Sequence, residues 1–417
     1  MRRKLLKYIA MCMAAIQLIG MCANCSYAQT QQDPRRNTVE RKSLQENQLY
    51  AKSCALTDGA SDRLLYGKAQ TVPLANASTT KIMTCILALE ECETDEIVTV
   101  SAKAAGQPKV HLGIQEGEQF YLKDLLYGLM LESFNDCAYA IAEHVAGSAE
   151  AFALRMNEKA EKIGCKDTHF VTPNGLDGED AGGEHHTTAA DLCRIMSYCT
   201  WKSSQSGQFV ALTQTRDYSF ANLDGRSFSV SNKNAFLDMM DCVVTGKTGF
   251  TGKAGYCYVA AAEEGGRRYC IALLACGWPN NKNYKWKDAR VLLQYGLDHY
   301  HLYRCDQASL KLPPLEIGNA YEKQSLDEWG KRIDVKTYID AKESSMTFLK
   351  ADWDEAEITR SFSKIVRAPL KKGDSLGRVS YTIGGQEIYA FDICAGKNVF
   401  RWDFTAFLHA LWKEITI

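Results

Sequence analysis

The chain has no dominant charge. Its 417 residues carry 49 basic and 50 acidic side chains, which gives a net charge of −1. No strongly basic face is indicated, so nucleic acid is a poor candidate partner. Outside the first 28 residues no cysteine pair has zinc-motif spacing, and His-Glu-x-x-His is absent. A Gly-x-Ser-x-Gly elbow, which would support a Ser-His-Asp triad, is also missing. The sequence therefore predicts no metal and no cofactor.

The N-terminus lacks a clean apolar run of about 20 residues, the length that spans a membrane. A basic stretch, "MRRKLLK", precedes the apolar run "YIAMCMAAIQLIGMC", which Gln17 interrupts, and "SYA" follows before Gln29. This order predicts a secretory signal peptide over residues 1–28, cleaved after Ala28, and an exported protein. A membrane-spanning anchor is the alternative.

Cysteine is plentiful, although its number does not suit a complete disulfide framework. There are 16 cysteines, and the 13 that follow the predicted signal peptide cannot all pair within one chain. Cys85, Cys137 and Cys270 lie in apolar segments, where a free cysteine behaves as a small hydrophobic residue. We therefore expect mostly reduced core cysteines, with a partial disulfide framework as the alternative.

Composition divides the remaining chain into four parts. Residues 29–48 are polar and predict a linker, and 49–303 alternate helix and strand patterns. Short alternating runs such as "RIDVKTYI" predict a small β-rich domain over 305–399. The last part, 400–417, predicts an amphipathic helix lying at a membrane interface, with docking on the protein as the alternative. Its predicted apolar face comprises Phe400, Phe404, Phe407, Leu408, Leu411, Trp412 and Ile415.

The stretch "ANASTTKIMT", residues 75–84, holds a serine and a lysine three positions apart at the entry to an apolar segment. On one helix, Ser78 and Lys81 would share a side, with Cβ atoms about 5–6 Å apart. A serine hydroxyl becomes nucleophilic when a neighbouring base takes its proton, and a desolvated lysine can be that base. By itself the pattern also fits an ordinary capped helix start.

A second motif, Ser133-Phe134-Asn135, interrupts two apolar segments that have helical spacing. Such a connection can direct polar side chains into a cleft. There, Ser133 can relay protons and Asn135 can hydrogen-bond a substrate amide. A plain turn between helices is the alternative.

A third motif, Lys247-Thr248-Gly249, lies on a predicted strand. Its lysine and threonine offer donors to an anionic group such as a carboxylate, and a glycine lets a substrate backbone approach closely. A phosphate-binding loop would need a glycine where Asp241 stands and a helix afterwards, so a nucleotide site is excluded.

Together, and in this order, the three motifs match the set found in class A β-lactamases and penicillin-binding proteins. The sequence resembles a low-molecular-mass penicillin-binding protein, a serine-type D-alanyl-D-alanine carboxypeptidase. The resemblance covers about residues 45–300, and it extends more weakly over 305–399. It is carried by "ASTTKIMT", "GLMLESFNDCAYAIAEHVAGS", "FVTPNGLDG", "HHTTAADL" and "VTGKTGFTGKAGYC".

The resemblance implies a role for each catalytic position. Ser78 would be the acylated nucleophile and Lys81 its general base. Ser133 and Asn135 would form the second motif. Phe134 stands where the family commonly has glycine, which predicts a narrower cleft.

The resemblance also implies the substrate-binding positions. Lys247 and Thr248, followed by Gly249, would hold the terminal carboxylate. The backbone N–H groups of Ser78 and Phe250 would form an oxyanion hole. Lys233, in "SNKNAF", stands where the family often has an arginine near the substrate.

The fold implied is α/β (α+β), an antiparallel sheet with helices on both sides, followed by a small β-rich domain. The implied reaction removes the terminal D-alanine from peptidoglycan pentapeptide stems through an acyl-enzyme, at the outer face of the cytoplasmic membrane. β-Lactam antibiotics would be inhibitors that acylate Ser78. The alternatives are a class A-like serine β-lactamase and an inactive peptidoglycan-binding homologue.

Overall fold

The computed structural model describes residues 44–306, 312–340, 345–363 and 366–416. The predicted signal peptide and most of the predicted linker lie outside the described residues. The helices are α1 Lys81–Glu91, α2 Ala102–Ala105, α3 Leu122–Tyr127, α4 Asn135–Ala146, α5 Ala149–Ile163, α6 Ala189–Ser197, α7 Ser206–Gln214, α8 Tyr284–His299 and α9 Phe404–Thr416. Short 3₁₀ turns cover Glu46–Gln48, Ala77–Thr80, Ala235–Asp238 and Leu326–Glu328, and π-helical turns cover Gly128–Glu132 and Tyr198–Lys202.

The strands fall into one large sheet and several smaller ones. They are β1 Ser53–Asp58, β2 Leu64–Lys68, β3 Ile97–Thr99, β4 Gln119–Tyr121, β5 Glu179–Asp180, β6 Gly183–Glu184, β7 Asp217–Ala221, β8 Ser227–Ser231, β9 Val243–Thr251, β10 Gly255–Glu264, β11 Arg267–Leu274, β12 Tyr300–Asp306, β13 Leu315–Ile317, β14 Ala320–Tyr321, β15 Ile333–Val335, β16 Thr337–Asp340, β17 Ser345–Ala351, β18 Ala356–Phe362, β19 Ser375–Ile383, β20 Gln386–Ala395 and β21 Phe400–Arg401.

The large sheet has five antiparallel strands in the order β2-β1-β11-β10-β9. Alternate side chains of β10 enter two different cores, as the two-residue period of a strand requires. Cys257, Val259 and Ala261 join the core formed with α1, α4 and α6. Tyr258, Ala260 and Ala262 join the core formed with α8. The predicted antiparallel sheet with helices on both sides is confirmed.

Two compact units divide the described residues, and each has its own core. The larger comprises the described residues through Arg304 together with Thr347–Asp354. The smaller comprises Cys305–Met346 and the described residues from Glu355 onward, and it contains a four-stranded sheet in the order β16-β20-β19-β18.

One segment assigned by composition to the β-rich region, Thr347–Asp354, belongs to the larger unit. The backbone N–H of Leu349 donates to Asp58 Oδ2 at 2.9 Å, and Arg63 Nη1 donates to the carbonyl of Leu349 at 2.8 Å. Arg63 also pairs with Asp354 at 2.6 Å. The local pattern of apolar and polar residues in this segment cannot predict these contacts, because their partners are distant in the sequence.

The C-terminal helix α9 packs on the smaller unit through Ala406, Phe407 and Ala410, beside Trp402 and Trp329. Phe407 is only 3% exposed, so this part of the predicted apolar face docks on the protein, as in the alternative interpretation. A narrower apolar stripe stays in solvent, with exposed fractions of 75% at Phe404, 45% at Leu408, 69% at Trp412 and 63% at Ile415. No helix among the described residues is both long and apolar enough to cross a membrane.

The twelve cysteines whose side chains the structure describes are free thiols. Nine of them are buried, as expected for reduced cysteines that fill a core.

Candidate active site

The first motif spans the junction between the 3₁₀ turn Ala77–Thr80 and helix α1. Ser78 lies in the turn and Lys81 begins the helix. The expectation that both residues lie on one α-helix was therefore wrong. Residues three apart eclipse each other in a 3₁₀ turn, and Lys81 Nζ lies 2.8 Å from Ser78 Oγ. Asn76 is the N-cap residue of the turn and Thr80 is that of the helix, so Ser78 caps neither element.

Lys81 is completely buried beneath this turn. Its Nζ lies 2.9 Å from Asn135 Oδ1 and 2.5 Å from the carbonyl oxygen of Asn174. Burial, followed by the positive charge of Lys247, holds the pKa of Lys81 well below its usual range. A neutral amine has two N–H groups and one lone pair. The two carbonyl oxygens can accept the N–H groups, which leaves the lone pair for the hydroxyl proton of Ser78.

The second motif follows the π-helical turn Gly128–Glu132. Ser133 ends that turn in the left-handed region, with φ of 69°, and Asn135 begins α4. Ser133 Oγ is buried and has no hydrogen-bond partner among the described residues. Asn135 is held by two backbone groups: its N–H donates to the carbonyl of Val110 at 2.8 Å, and its Nδ2 donates to that of Pro108 at 3.0 Å.

Phe134, between these two polar residues, packs against the core that the large sheet forms with α1, α4 and α6. A Cβ added to Gly128 would lie 3.3 Å from the Phe134 ring and 2.9 Å from Cys137 Sγ. Gly128 therefore leaves the space that the ring occupies. This contact directs the bulk of Phe134 toward the core, which the prediction of a narrowed cleft did not consider.

The third motif lies on β9, at the edge of the large sheet. Lys247 is buried, its Nζ donates to the carbonyl of Thr248 at 2.9 Å, and burial lowers its pKa to about 7. Among the described residues neither Lys247 nor Lys81 forms an ion pair with a carboxylate. When it is protonated, Lys247 therefore gives the site a positive charge that favours an anionic group.

Gly249 has a different neighbour from the expected substrate backbone. A Cβ built on Gly249 would lie 2.9 Å from the amide nitrogen of Ser78 and 3.0 Å from that of Thr79. The glycine therefore lets β9 approach the 3₁₀ turn Ala77–Thr80, which carries Ser78 and is called the nucleophile turn below. The next residue, Phe250, is 42% exposed and its ring centre lies 4.7 Å from that of Tyr256.

Lys233, the remaining predicted position, lies beside the second motif on the chain surface. Its backbone N–H donates to the carbonyl of Leu131 at 3.1 Å, and its Nζ pairs with Glu132 at 3.0 Å. The side chain is 60% exposed. In this arrangement Lys233 neutralises the acid that precedes Ser133.

Asn174 is a site residue that the sequence motifs did not predict. Its carbonyl oxygen contacts Lys81 and lies 3.4 Å from Ser78 Oγ. Both polar atoms of its side chain are hydrogen-bonded. Nδ2 donates to Gln107 Oε1 at 2.9 Å, and Oδ1 accepts from the N–H of Leu176 at 3.0 Å. The Pro-Asn-Gly sequence indicated a turn, but a backbone carbonyl carries no signal of its own role.

His185 is a buried residue that contacts the nucleophile turn through Thr80. Its Nδ1 accepts from the N–H groups of Val171 at 3.0 Å and Thr172 at 3.3 Å, so Nε2 carries the proton and donates to Thr80 Oγ1 at 2.8 Å. Burial, with smaller contributions from neighbouring cationic groups, lowers the pKa of His185 to about 3. The imidazole therefore stays neutral at physiological pH.

Comparison with known proteins identifies the relatives of this chain. The peptidase S11 family, D-alanyl-D-alanine carboxypeptidase, matches residues 40–275, more than half of the chain. The D-alanyl-D-alanine carboxypeptidase DacF of Bacillus subtilis is 28% identical over 366 residues, covering 86% of this chain and 88% of that protein.

Two solved structures show the same fold. A D-alanyl-D-alanine carboxypeptidase from Mycobacterium tuberculosis is 29% identical, with a TM-score of 0.55, over 60% of this chain and 91% of that one. Penicillin-binding protein 5 from Haemophilus influenzae is 23% identical, with a TM-score of 0.66, over 86% of this chain and 100% of that one.

Proposed function

This chain belongs to the D-alanyl-D-alanine carboxypeptidase family, and we propose that it removes the terminal D-alanine from peptidoglycan stem peptides. It is a serine-type peptidase of the penicillin-binding group. The observation that carries the mechanism is the 2.8 Å contact between Ser78 Oγ and the buried Nζ of Lys81.

Acylation begins with proton transfer from Ser78 to Lys81. Burial and the positive charge of Lys247 lower the pKa of Lys81 and so favour the neutral amine. Asn135 and the carbonyl of Asn174 occupy its two N–H groups, so its lone pair faces the serine hydroxyl. Ser78 Oγ then attacks the carbonyl carbon of the penultimate D-alanine, and the proton moves to Lys81.

Ser133 completes the proton path to the leaving amine. Its Oγ is buried and has no hydrogen-bond partner among the described residues, so this hydroxyl can both donate and accept a hydrogen bond. Ser133 stands two residues before Asn135, whose Oδ1 contacts Lys81. In this proposal Ser133 passes the proton to the departing D-alanine nitrogen. Water then attacks the acyl-enzyme, and Lys81 again acts as base.

Binding of the D-Ala-D-Ala end is assigned to β9. Lys247 and Thr248 hold the terminal carboxylate, whose negative charge favours the protonated form of Lys247. The N–H groups of Ser78 and Phe250 stabilise the oxyanion, a contribution of about 10²–10³ in rate per donor. The close approach of Gly249 to the Ser78 amide supports this pairing of strand and turn. Lys233, whose charge is balanced by Glu132, is proposed to lie near the substrate at the rim of the site.

The reaction is tested by release of D-alanine from a peptide ending in D-Ala-D-Ala. We expect release by the wild-type chain and less than about 0.1% of it from Ser78→Ala, since nucleophile removal in serine enzymes costs several orders of magnitude. Asp327→Asn, on the smaller unit, is the control and should keep full activity. Absence of release by a folded wild-type chain would support the inactive homologue instead.

The same protein separates a carboxypeptidase from a β-lactamase. A class A-type β-lactamase needs an additional carboxylate that activates deacylating water, and the "PNGLDG" stretch and the second domain fit the carboxypeptidase better. We therefore expect a long-lived acyl adduct with benzylpenicillin. Rapid hydrolysis of the antibiotic would favour the β-lactamase.

We further propose that the protein is exported and lies at the membrane surface through α9. The exposed apolar stripe of Phe404, Leu408, Trp412 and Ile415 is suited to an interfacial helix. Deleting 400–417 would also remove the packed Phe407, so Phe404→Ser with Trp412→Ser is the sharper test. The double variant should lose binding to lipid vesicles that the wild type binds, whereas His409→Ser should bind as before. Equal sedimentation of the double variant and the wild type would reject this role.

A further inference from the structure

We propose that Cys92, Glu96 and His144 form a binding site for a thiophilic divalent metal ion of the zinc class. Their donor atoms are one sulfur, one carboxylate oxygen and one imidazole nitrogen, and all lie within 4.8 Å of one another. Zinc takes these three ligand types, and three protein ligands leave a fourth position for water. The sequence predicted no metal because Cys92 and Glu96 lie in one connection and His144 lies far along the chain on α4, so the three ligands form no spaced motif.

The carboxylate of this cluster is already oriented. Glu96 Oε1 accepts the backbone N–H of Glu93 at 2.7 Å, which turns Oε2 toward His144 Nε2 at 2.9 Å. Such outer hydrogen bonds are what fix the direction of a metal ligand. Nitrogen and oxygen ligands of tetrahedral zinc lie about 3.3–3.5 Å apart, given bond lengths of about 2.0–2.2 Å. The pair therefore needs to open by only about half an ångström.

Local charge favours a cation here. The segment "EECETDE", residues 90–96, brings five acidic side chains around Cys92. Arg155 and Lys159 pair with Glu91 and Glu90, so the charges of Glu93, Asp95 and Glu96 are the ones that favour a cation. On binding, the Cys92 thiol releases its proton to solvent, and the metal replaces the hydrogen bond between His144 and Glu96.

The position of the cluster indicates a structural role. Cys92 directly follows the last residue of α1, and His144 lies in the last turn of α4. These two helices begin at Lys81 and Asn135, whose side chains meet at 2.9 Å. A metal at the cluster would therefore join the far ends of the two helices that present the catalytic lysine and the second motif.

Cobalt(II) is the probe, because it occupies zinc sites and a cobalt–thiolate bond absorbs in the near ultraviolet. The full chain, reduced and freed of metal under anaerobic conditions, is titrated with cobalt and then with zinc. We expect one cobalt per chain, a thiolate charge-transfer band and displacement by zinc. Zinc at 100 times its dissociation constant should raise the melting temperature by about 5–10 °C.

Three variants locate the site. Cys92→Ser should abolish the charge-transfer band, and His144→Gln should weaken binding at least about tenfold. His169→Gln is the matched control, because His169 also contacts a carboxylate, Asp180 at 2.7 Å, outside the cluster. It should bind as the wild type does. No charge-transfer band in the wild type, or an equal band in Cys92→Ser, would overturn the proposal. D-alanine release by Cys92→Ser should equal that of the wild type, so this test is independent of the proposed reaction.

Discussion

Replacing Gly249 with alanine tests how closely the sheet must approach the nucleophile. The added Cβ would lie 2.9 Å from the amide nitrogen of Ser78, 3.0 Å from that of Thr79 and 3.1 Å from Ala77 Cβ. Two of these three atoms are backbone, so no flexible side chain can move aside. Either β9 or the turn must shift by several tenths of an ångström.

The expected loss follows from what the shift separates. It moves the Ser78 and Phe250 N–H groups apart, and one oxyanion-hole donor is worth about 10²–10³ in rate. Overpacking adds about 1–3 kcal/mol of destabilisation. We therefore predict a loss of about 100-fold or more in acylation by a fluorescent penicillin, with a cooperative melt retained.

Gly252→Ala is the matched control for this variant. Gly252 lies just beyond the same strand, and a Cβ there would meet nothing within 4 Å. The control should acylate at the wild-type rate. Acylation of Gly249→Ala within about twofold of the control would refute the reasoning, because the contact would then not position the oxyanion donors.

The remaining predictions concern titration and thiols. Burial lowers the pKa of Lys247 to about 7, so its positive charge is lost above that pH. We therefore expect kcat/KM for a peptide with a free terminal carboxylate to fall between pH 7 and pH 9. Lys247→Arg should abolish this fall. Because the pKa of His185 is lowered from 6.5 to about 3, its stabilisation is present above pH 6.5 and is lost as the pH falls toward 3, by at most about 1.4 kcal/mol per pH unit. Urea unfolding should show the difference between wild type and His185→Gln shrinking between pH 6.5 and 4, and a constant difference would contradict the buried neutral imidazole. Unfolded, non-reduced protein should titrate with close to its full number of thiols, and far fewer would indicate disulfides.

Local sequence patterns predicted the parts of the site that local geometry determines. Ser78 and Lys81 meet because three residues make one turn, and this could be inferred even though the turn is 3₁₀ rather than α-helical. Lys247-Thr248-Gly249 was likewise predicted to lie on a strand, and it lies on β9. The meeting of Asn135 with Lys81 depends on how α1 and α4 pack, and only the family resemblance suggested it.

Other features depend on neighbours that are distant in sequence. Gly249 was assigned to substrate approach because nothing in its motif shows that Ser78, far earlier in the chain, lies against it. Asn174 acts through a backbone carbonyl, which every residue type possesses. The sequence position of Phe134 says nothing of the space beside Gly128, and the effect of Phe134 on the width of the cleft stays a prediction.

The central claim, that Ser78 is the nucleophile activated by Lys81, is tested most directly by mass spectrometry after exposure to benzylpenicillin. We predict one adduct of the mass of the intact antibiotic on the wild-type chain, located by peptide mapping at Ser78, and none on Ser78→Ala. No adduct on folded wild-type protein, or an adduct that persists in Ser78→Ala, would contradict the account.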